Sequence, residues 1–336
     1  MICARILQRA GELNYVPNAI ARGLATSQTF ALGFFTRQKA DLSAQNDPFY
    51  GEIMHGVEQT LAQSDYHLTV GNLTDTILDD PAAFRFVRER RIDGMILAGP
   101  DIPPDFILTM LQSRLPIVLV DNVLAFSNAH TVNGDDEGGA YLAARHLLEL
   151  GHRRIGVIAG PKDWASNRRR VEGYQQALTE AGLPLPIVHV DRTTIESGQA
   201  AYQALLIVAP DVTAIGAVND SMALGALRAA QAAGRHVPAD LSIVGFDNIA
   251  WASLNHPPLT TLDVPKRQIG IEAAQRLLSL LEAARSDDNG NGQEGDRLPP
   301  TNLTIAVQLI VRGSTGLLRQ PGTQPVAQLI DQAERG

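Results

Sequence analysis

Polar side chains stand at the ends of three apolar segments, where they could hydrogen-bond a ligand. Asp121 ends PIVLVD, Asn219 and Asp220 end TAIGAVND, and Asp247 ends LSIVGFD. At the carboxyl ends of parallel strands, such groups exchange hydrogen bonds with small molecules. The same residue types also cap the following helix or stabilise a turn, so each of them alone is equally consistent with a structural role.

Arginines and aromatic residues strengthen the interpretation as a binding site. The run Arg168–Arg170 opens a predicted helix, and a guanidinium group can hold a polar ligand through two hydrogen bonds. Aromatic rings suit the apolar faces of sugars, and four residues could supply them: Phe49, Tyr50, Trp164 and Trp251. Structural roles stay open, since Tyr50 and Trp164 could be core residues and Arg170 could form a surface ion pair. Together these residues predict a site for a small polar ligand.

The motifs of common enzyme classes are missing from the sequence. It has no G-x-G-x-x-G after a strand, no P-loop, no G-x-S-x-G and no His/Cys cluster with metal spacing. RGSTG at 312–316 follows an apolar run but lacks the spacing of a nucleophile elbow, and it is interpreted as a turn. We therefore expect no catalytic activity, no cofactor and no metal. An enzyme using Asp121, Asp220 and Asp247 stays open, because two carboxyls facing one bond would suffice for acid–base chemistry.

The apolar pattern between residues 30 and 265 predicts a doubly wound α/β fold. Short runs of continuous apolarity, which suit strands buried on both faces of a parallel sheet, alternate with amphipathic segments. The runs lie at 31–35, 67–72, 94–99, 116–121, 154–160, 187–191, 213–220 and 241–247. Helices are predicted at Gly51–Ala62, Pro81–Arg90, Gly138–Leu150, Arg168–Ala181 and Ser221–Ala233.

These eight runs exceed the usual width of one open sheet, so two sheets are predicted. HTVNG at 130–134 leads straight into a helix and is interpreted as the chain crossing between the sheets. A second crossing is placed at Leu259–Val264, followed by a helix over Lys266–Glu282. Residues 286–300 have the composition of a loop, residues 302–315 predict one final strand, and the tail after Gly316 is expected to be loosely held.

Composition restricts the class of protein. The 336 residues, 45% of them hydrophobic, suffice for two globular domains, and the net charge of −8 excludes a uniformly basic coat but not a local basic segment. Cys3 stands alone, so no internal disulfide forms. No apolar run reaches the roughly 18 residues of a membrane span, and charged residues interrupt the N-terminus where a signal peptide would be apolar. A cytoplasmic protein without membrane contact is expected.

The residues before Phe30 form a different kind of segment. Ala4–Leu13 has helical apolar spacing, which NYVPN interrupts. Asn18–Ala25 then places Ile20 and Leu24 on one helical face and Arg22 on the other. Eight residues make a marginal helix in water, so this segment should order only on a partner.

The order of these motifs resembles the LacI/GalR-type bacterial transcriptional repressors from residue 1 to about residue 315. The matching segments include NYVPNAIARGLATSQT, NDPFYGEIMHGVE, RIDGMILAG, GHRRIGVIAGP, NRRRVEGYQQAL, AIGAVNDSMALGAL, LSIVGFDN, PPLTTLDVP and VRGST. The resemblance implies two doubly wound parallel-sheet subdomains of the type found in periplasmic sugar-binding proteins, with an effector in the cleft. It also implies a helical DNA-binding remnant and a hinge helix ahead of them.

The resemblance also implies boundaries. Residues 1–28 would be the remnant of a helix-turn-helix domain plus the hinge helix, 29–316 the effector-binding core and 317–336 a flexible tail. Within the core, one subdomain would comprise about 29–133 and 264–298, and the other about 134–263 and 299–316. Family members begin with about thirty further residues that form the first two helices, so we expect residue 1 to lie inside the third helix.

The matched motifs carry expected roles for single residues. Phe49 and Tyr50 would lie at the cleft mouth, Asp121 beside the ligand, and Arg170, three residues before Gly173, would clamp it. Asn219 and Asp247 match positions that bond effector hydroxyls or ring nitrogens. The full expected effector set is Phe49, Tyr50, Asp121, Trp164, Arg168, Arg170, Asn219, Asp247 and Trp251.

The DNA-contacting set implied by the resemblance is Asn18, Arg22 and Leu24, with Leu24 wedged into the minor groove by the paired hinges of a dimer. With Arg5 and Arg9 as the other basic residues here, binding should be weak and salt-sensitive.

The implied function is that of a homodimeric regulator that binds operator DNA and responds to a small polar effector. A carbohydrate is the first candidate for this effector. Acidic and amide groups favour a neutral sugar, whereas the arginine cluster also tolerates an anionic sugar or a purine. A ligand would act by shifting the population between two arrangements of the subdomains. The alternative is a stand-alone sugar-binding protein. The segment NYVPNAIARGL and the lack of an export signal disfavour this alternative.

Overall fold

A computed structural model of the chain describes Arg9, Glu12 and residues 28–38, 47–124, 128–288 and 298–318. These residues form two compact units. Unit 1 comprises the described residues up to Val120, Leu124–Val132 and Arg267–Asn302, and unit 2 comprises Asp121–Val123, Asn133–Lys266 and the described residues from Leu303. The remainder of the predicted helix Ala4–Leu13, the segment Asn18–Ala25, residues 289–297 of the predicted loop and the tail beyond Leu318 lie outside the described residues.

A six-stranded sheet belongs mainly to unit 1 and has the order β11-β5-β4-β3-β1-β2. Its strands are β1 (Ala31–Arg37), β2 (His67–Leu73), β3 (Gly94–Ala98), β4 (Ile117–Val120), β5 (His130–Gly134) and β11 (Asn302–Ile305). Strands β1 to β5 pair in parallel, in the register Leu32–Gly94 and Ile96–Val118 among others. The central strands are buried on both faces, which is why their sequences are apolar without alternation.

The helices of unit 1 are α1 (Tyr50–Leu61), α2 (Asp75–Asp79), α3 (Arg85–Arg88), α4 (Pro104–Gln112) and α10 (Lys266–Asp288). The continuous helix predicted over Pro81–Arg90 is wrong. The segment forms a 3-10 turn at Pro81–Ala83 and the single-turn helix α3, with extended backbone at Phe84 between them. Phe84 is 3% exposed and packs edge-on against Phe35 and Phe106, so burying its ring interrupts the helix.

Unit 2 contains a four-stranded parallel sheet of order β7-β6-β8-β9 and a two-stranded antiparallel pair, β10 with β12. The strands are β6 (Ile155–Ala159), β7 (Ile187–His189), β8 (Ala214–Ala217), β9 (Ser242–Val244), β10 (Thr261–Asp263) and β12 (Gln308–Ile310). The helices are α5 (Asp136–Glu149), α6 (Ala165–Glu180), α7 (Ile195–Val208), α8 (Asp220–Ala232) and α9 (Ala250–Leu254). The predicted doubly wound α/β class is thus confirmed.

Two further predictions about elements need correction. Residues 302–315 form two short strands, β11 and β12, instead of one. The strand is interrupted because Val307 turns into the interior at 8% exposure, while β12 pairs with β10 instead of continuing β11. The helix predicted to end at Glu282 continues to Asp288, and Arg285 in its last turns donates to the Tyr66 hydroxyl at 2.7 Å.

The chain changes unit inside or beside named elements. Apart from the short excursion Asp121–Val123, it passes from unit 1 to unit 2 between Val132 and Asn133, within β5, and returns between Lys266 and Arg267, at the start of α10. It passes to unit 2 again between Asn302 and Leu303, within β11. Among the residues described, none of the helices combines the length and apolarity that a bilayer span requires.

Helices α1 and α10 approach through glycines. A Cβ at Gly56 would overlap the backbone carbonyl of Arg267, and a Cβ at Gly270 would overlap that of Ile53. Since backbone cannot move aside as a side-chain tip can, both positions exclude any larger residue.

We predict that Gly56→Ala lowers the free energy of unfolding by about 2–3 kcal/mol, because the added methyl separates two packed backbones. Gln59→Ala, at an exposed position of the same helix, should change it by less than about 0.5 kcal/mol. Urea unfolding followed by circular dichroism measures both. Equal midpoints for the two variants would show that α1 and α10 are not in backbone contact.

Candidate functional site

A buried arginine stands at the centre of a polar cluster in unit 2. The Arg170 side chain on α6 is 7% exposed, and its Nε donates to Asp136 Oδ1 at 2.8 Å. Its Nη1 donates to Asp247 Oδ1 at 3.2 Å and to the Val218 carbonyl at 2.5 Å. The guanidinium carbon lies 3.9 Å from the centroid of the Phe246 ring. One side chain therefore links α6 to residues that follow three different strands.

Local structure explains why these partners converge. Asp136 is the first residue of α5, and the preceding Asp135 caps that helix by accepting from Gly138 N at 3.0 Å. Val218 follows β8 and Asp247 follows β9, and adjacent parallel strands end at the same edge of their sheet. The cluster thus lies where doubly wound folds place ligand contacts.

The loop after β9 has an unusual backbone. Asp247 has φ +111° and Asn248 has φ +52°, values that residues with a Cβ seldom adopt. Asp247 N donates to the Leu262 carbonyl at 2.9 Å, and Arg312 Nη2 donates to Asn248 Oδ1 at 2.7 Å. The buried Lys266 ammonium donates to the carbonyls of Asp247 and Asn248. Asparagine adopts the left-handed conformation of Asn248 readily, so the strain lies at Asp247, at a cost of about 1–3 kcal/mol. The contacts of the loop offset this cost and hold the Asp247 carboxylate toward Arg170.

Asp220 lies in the interior beside this loop with no exposed surface. Its Oδ1 accepts from Thr261 Oγ1 at 2.5 Å and its Oδ2 accepts from Ile249 N at 2.9 Å. The carboxyl therefore connects the start of α8 to β10 and to the residue before α9.

Burial dominates the titration of these acids. Loss of hydration raises the pKa of Asp247 to about 7 despite the nearby Arg170 charge, and it raises the pKa of Asp220 to about 7 as well. Burial likewise raises the pKa of Asp136. Desolvation alone would lower the pKa of Arg170, but the carboxyls of Asp136 and Asp247 raise it overall. Arg170 therefore stays cationic, and its single positive charge faces the two carboxyl groups of Asp136 and Asp247.

Part of this network remains available for a ligand. Arg170 Nη2 has no acceptor, and Asp247 Oδ2 no donor, among the residues that the structure describes. A ligand hydroxyl can accept a hydrogen bond from Arg170 Nη2 and donate one to Asp247 Oδ2. Within the described ranges, no group of three or more His, Cys, Asp or Glu side chains is arranged to hold a metal ion.

Comparison with known proteins identifies the family. Residues 31–309 match the family model described as "Periplasmic binding proteins and sugar binding domain of LacI family". The chain belongs to the LacI family of transcriptional regulators. It is 32% identical over 316 residues to the HTH-type transcriptional repressor CytR of Escherichia coli K12, covering 94% of this chain and 87% of that protein.

Solved structures of LacI-family regulators share this fold. A CelR–cellobiose complex has a TM-score of 0.74 at 29% identity and covers 92% of this chain and 89% of its own. A Lac repressor dimer bound to operator and the anti-inducer ONPF has a TM-score of 0.74 at 26% identity, with coverages of 90% and 99%. Because the relatives are repressors, the predicted class of regulator, as opposed to enzyme, is confirmed.

The structure brings together three of the effector residues expected from the LacI resemblance. Arg170 and Asp247 are in direct contact, and Asp121, with φ +51° after β4, is near enough to raise the pKa of Arg170. The interpretation of Arg170 as a surface ion pair is wrong, since its pairs with Asp136 and Asp247 are buried.

Other expected effector residues of unit 2 have different surroundings. Asn219 caps α8, accepting from Met222 N at 2.9 Å and donating to the Thr193 carbonyl at 3.2 Å, which is the structural role that its sequence position also allowed. Trp164 is half-buried before α6, and Trp251 on α9 is 43% exposed. Arg168 is exposed and lies 4.0 Å from Glu172 of the same helix. Their contact with an effector remains a prediction.

Phe49 and Tyr50 belong to unit 1, at the start of α1. Tyr50 is 5% exposed and its ring meets that of Phe49 edge-on at 5.2 Å, so it has the core position that the sequence left open. The DNA-contact candidates Asn18, Arg22 and Leu24 lie outside the described residues.

Sequence reasoning missed several members of the cluster. Asp136 was detectable, because it follows the HTVNG segment as the other acids follow their strands. Lys266 and Thr261 gave no signal, since a lysine at a helix start and a threonine in a strand are ordinary. Only the folded chain brings them to the carboxyls.

We predict that Asp220→Asn flattens the pH dependence of stability. Because its pKa rises from 3.8 to about 7 on folding, Asp220 holds a proton between those values that the unfolded chain has lost. Its contribution is therefore greatest below about pH 4 and is lost as the pH rises through 7, at up to about 1.4 kcal/mol per pH unit. The asparagine keeps both contacts, donating to Thr261 Oγ1 and accepting from Ile249 N.

Urea unfolding at pH 5, 6, 7 and 8 measures the effect, with a residual slope expected from Asp247. Asp211→Asn is the control, because that carboxyl is 65% exposed and pairs loosely with Arg154 at 3.5 Å. A slope in Asp220→Asn as steep as that of the unchanged protein would contradict the prediction.

Proposed function

We propose that this LacI-family regulator binds operator DNA as a homodimer and responds to a small effector. The effector is uncharged and rich in hydroxyl groups, a carbohydrate is the first candidate for it, and Arg170 and Asp247 hold it. The observation that carries the effector proposal is the pair of unused groups, Arg170 Nη2 and Asp247 Oδ2, on otherwise buried and fully engaged side chains.

Charge supports an uncharged effector. The guanidinium of Arg170 is already flanked by two buried carboxyls, Asp136 and Asp247, and Asp121 adds a third nearby. Because these carboxyls already offset the guanidinium charge, an anionic ligand would find no uncompensated cation on Arg170, so a phosphorylated or carboxylated sugar is disfavoured. The cellobiose bound to the related CelR is a neutral sugar of the proposed kind.

Family membership supports the DNA and dimer parts of the proposal. The related CytR is a repressor of the helix-turn-helix type, and the related Lac repressor binds its operator as a dimer. In this chain, Asn18, Arg22 and Leu24 are the residues proposed to contact DNA, with two copies of Leu24 entering the minor groove together.

The effector would act through the affinity difference between two conformations. A ligand that binds one conformation more tightly shifts the population toward it, by no more than that difference, typically 1–3 kcal/mol. In this chain, a ligand on Arg170 would fix the Asp247–Asn248 loop and the start of α5 at Asp136, so these are the segments expected to differ between the two states.

The DNA proposal is tested by selecting genomic fragments with the purified chain and measuring mass by analytical ultracentrifugation with and without the selected duplex. We expect a dimer that retains the duplex at low salt. Leu24→Ala should weaken binding, because the wedge is removed, whereas Leu254→Ala, at a side chain 78% exposed, should not. A chain that binds sugars but retains no duplex would favour the alternative of a stand-alone sugar-binding protein.

The effector proposal is tested by a thermal-shift screen of neutral sugars, nucleosides, sugar phosphates and uronates, followed by calorimetry. We expect a hit among the uncharged compounds. Arg170→Lys keeps the charge but loses the planar fork, and should weaken the hit about 10- to 100-fold. Arg145→Lys, at an exposed position of α5 outside the expected effector set, should bind as tightly as the unchanged protein.

If Arg170→Lys fails to fold, Asp247→Asn provides a second variant, which keeps the shape of the side chain and removes its charge. Unchanged affinity in whichever variant folds would eliminate this site.

A further inference from the structure

Unit 1 carries a concentrated basic surface that the effector site does not use. Residues 85–91 contain four arginines and one glutamate in a chain whose net charge is −8. Arg88, Arg90 and Arg91 are all exposed, as is Arg114, before β4. We call these four residues the arginine edge.

The topology of the sheet places the arginine edge at one side. Arg88, Arg90 and Arg91 precede β3 and Arg114 precedes β4, and these strands are adjacent and parallel. Residues before neighbouring parallel strands lie at the same, amino-terminal edge of a sheet, with about 4.8 Å between strands. The four arginines are therefore placed at the same edge of the sheet, although Arg88 ends α3, Arg90 and Arg91 follow it, and Arg114 follows α4.

The same edge is where the chain enters unit 1 from its N-terminal side. Asp93, two residues after Arg91, accepts from Thr29 N at 2.9 Å, from Phe30 N at 2.9 Å and from Thr29 Oγ1 at 2.8 Å. Strand β1 begins directly afterwards and pairs with β3. The entry point of the chain is thus hydrogen-bonded to the loop that carries the arginines.

The distance from that entry point to the proposed DNA contacts is short. Thr29 lies five positions after Leu24, a length of chain that spans at most about 18 Å even when fully extended. A duplex held at Leu24 is therefore within reach of the amino-terminal edge of unit 1. Charges within about 8–10 Å of a phosphate are effective at physiological salt.

Acidic groups at this edge are already engaged or outnumbered. Glu89 is within ion-pair distance of Arg85, Arg88 and Arg91, which lowers its pKa to about 2, so it remains ionised and cancels one charge. Asp93 is occupied by the backbone of Thr29 and Phe30, and an exposed Asp65 precedes β2. Positive charge predominates at the arginine edge.

We infer that the arginine edge binds phosphates of the DNA duplex that the N-terminal segment holds, adding a second, sequence-independent contact surface in unit 1. The inference rests on the proposed DNA-binding function. It gives the negatively charged chain a defined face for DNA, since a local basic patch steers a polyanion even when the net charge is negative.

The test is the salt dependence of binding by Arg88→Gln combined with Arg91→Gln, on the selected duplex and on an unrelated 40-base-pair duplex. Glu89 keeps Arg85 as partner in this variant, so no carboxylate is left without an ion pair. Each phosphate that the variant no longer binds should lower the slope of log Kd against log salt by about 0.9. If each of the two arginines binds one phosphate, a fourfold rise in salt should weaken the unchanged protein about tenfold more than the variant.

The control is Arg145→Gln combined with Arg154→Gln, which changes the net charge equally at exposed positions of unit 2 that each pair with one exposed carboxylate. This control should keep the slope of the unchanged protein, and both variants should keep its effector affinity. If the unchanged protein binds DNA and the Arg88/Arg91 variant has the same slope, the arginine edge does not contact DNA and the inference is wrong. If the unchanged protein binds neither duplex, the proposed function itself fails.

Discussion

A single buried charge, the guanidinium of Arg170, sets the requirements for the rest of unit 2. Taking an ion out of water costs several kcal/mol, and only well-placed partners offset that cost. Arg170 has them in Asp136, Asp247, the Val218 carbonyl and the face of Phe246. Asp136 follows β5, Val218 follows β8, and Phe246 and Asp247 both follow β9, so the ion is fully partnered only when α5, α6, β8 and β9 have all assembled.

The same constraint explains the backbone around Asp247. A carboxylate at the end of β9 reaches Arg170 with φ +111°, in a region that side chains with a Cβ avoid. Lys266 and Arg312, two cations that do not contact Arg170, hold the loop by binding its carbonyls and Asn248. The cations thus differ in role: Lys266 and Arg312 hold the loop that carries Asp247, whereas Arg170 is the donor proposed to meet the ligand.

Charge is distributed differently in the two units. In unit 2 carboxyls surround the buried Arg170 and offset its charge, which is the setting proposed for a neutral ligand with hydroxyl groups. In unit 1 exposed arginines gather at the sheet edge where the chain enters through Thr29 and Phe30. A chain of net charge −8 can therefore have both a site that disfavours anions and a face that attracts a polyanion.

The sequence by itself determined the α/β class, most strands and the polar ends of β4, β8 and β9, because burial on both faces leaves continuous apolar runs that end in recognisable polar residues. Only the tertiary structure decided which polar residues interact. Asn219 and Asp220 are neighbours in sequence, yet one caps a helix and the other is buried against Thr261, 41 residues later. Likewise, Phe84 interrupts a helix because of Phe35 and Phe106. Local patterns record the period of an element and its ends, whereas desolvation and ion pairing depend on contacts between distant segments, which no local pattern contains.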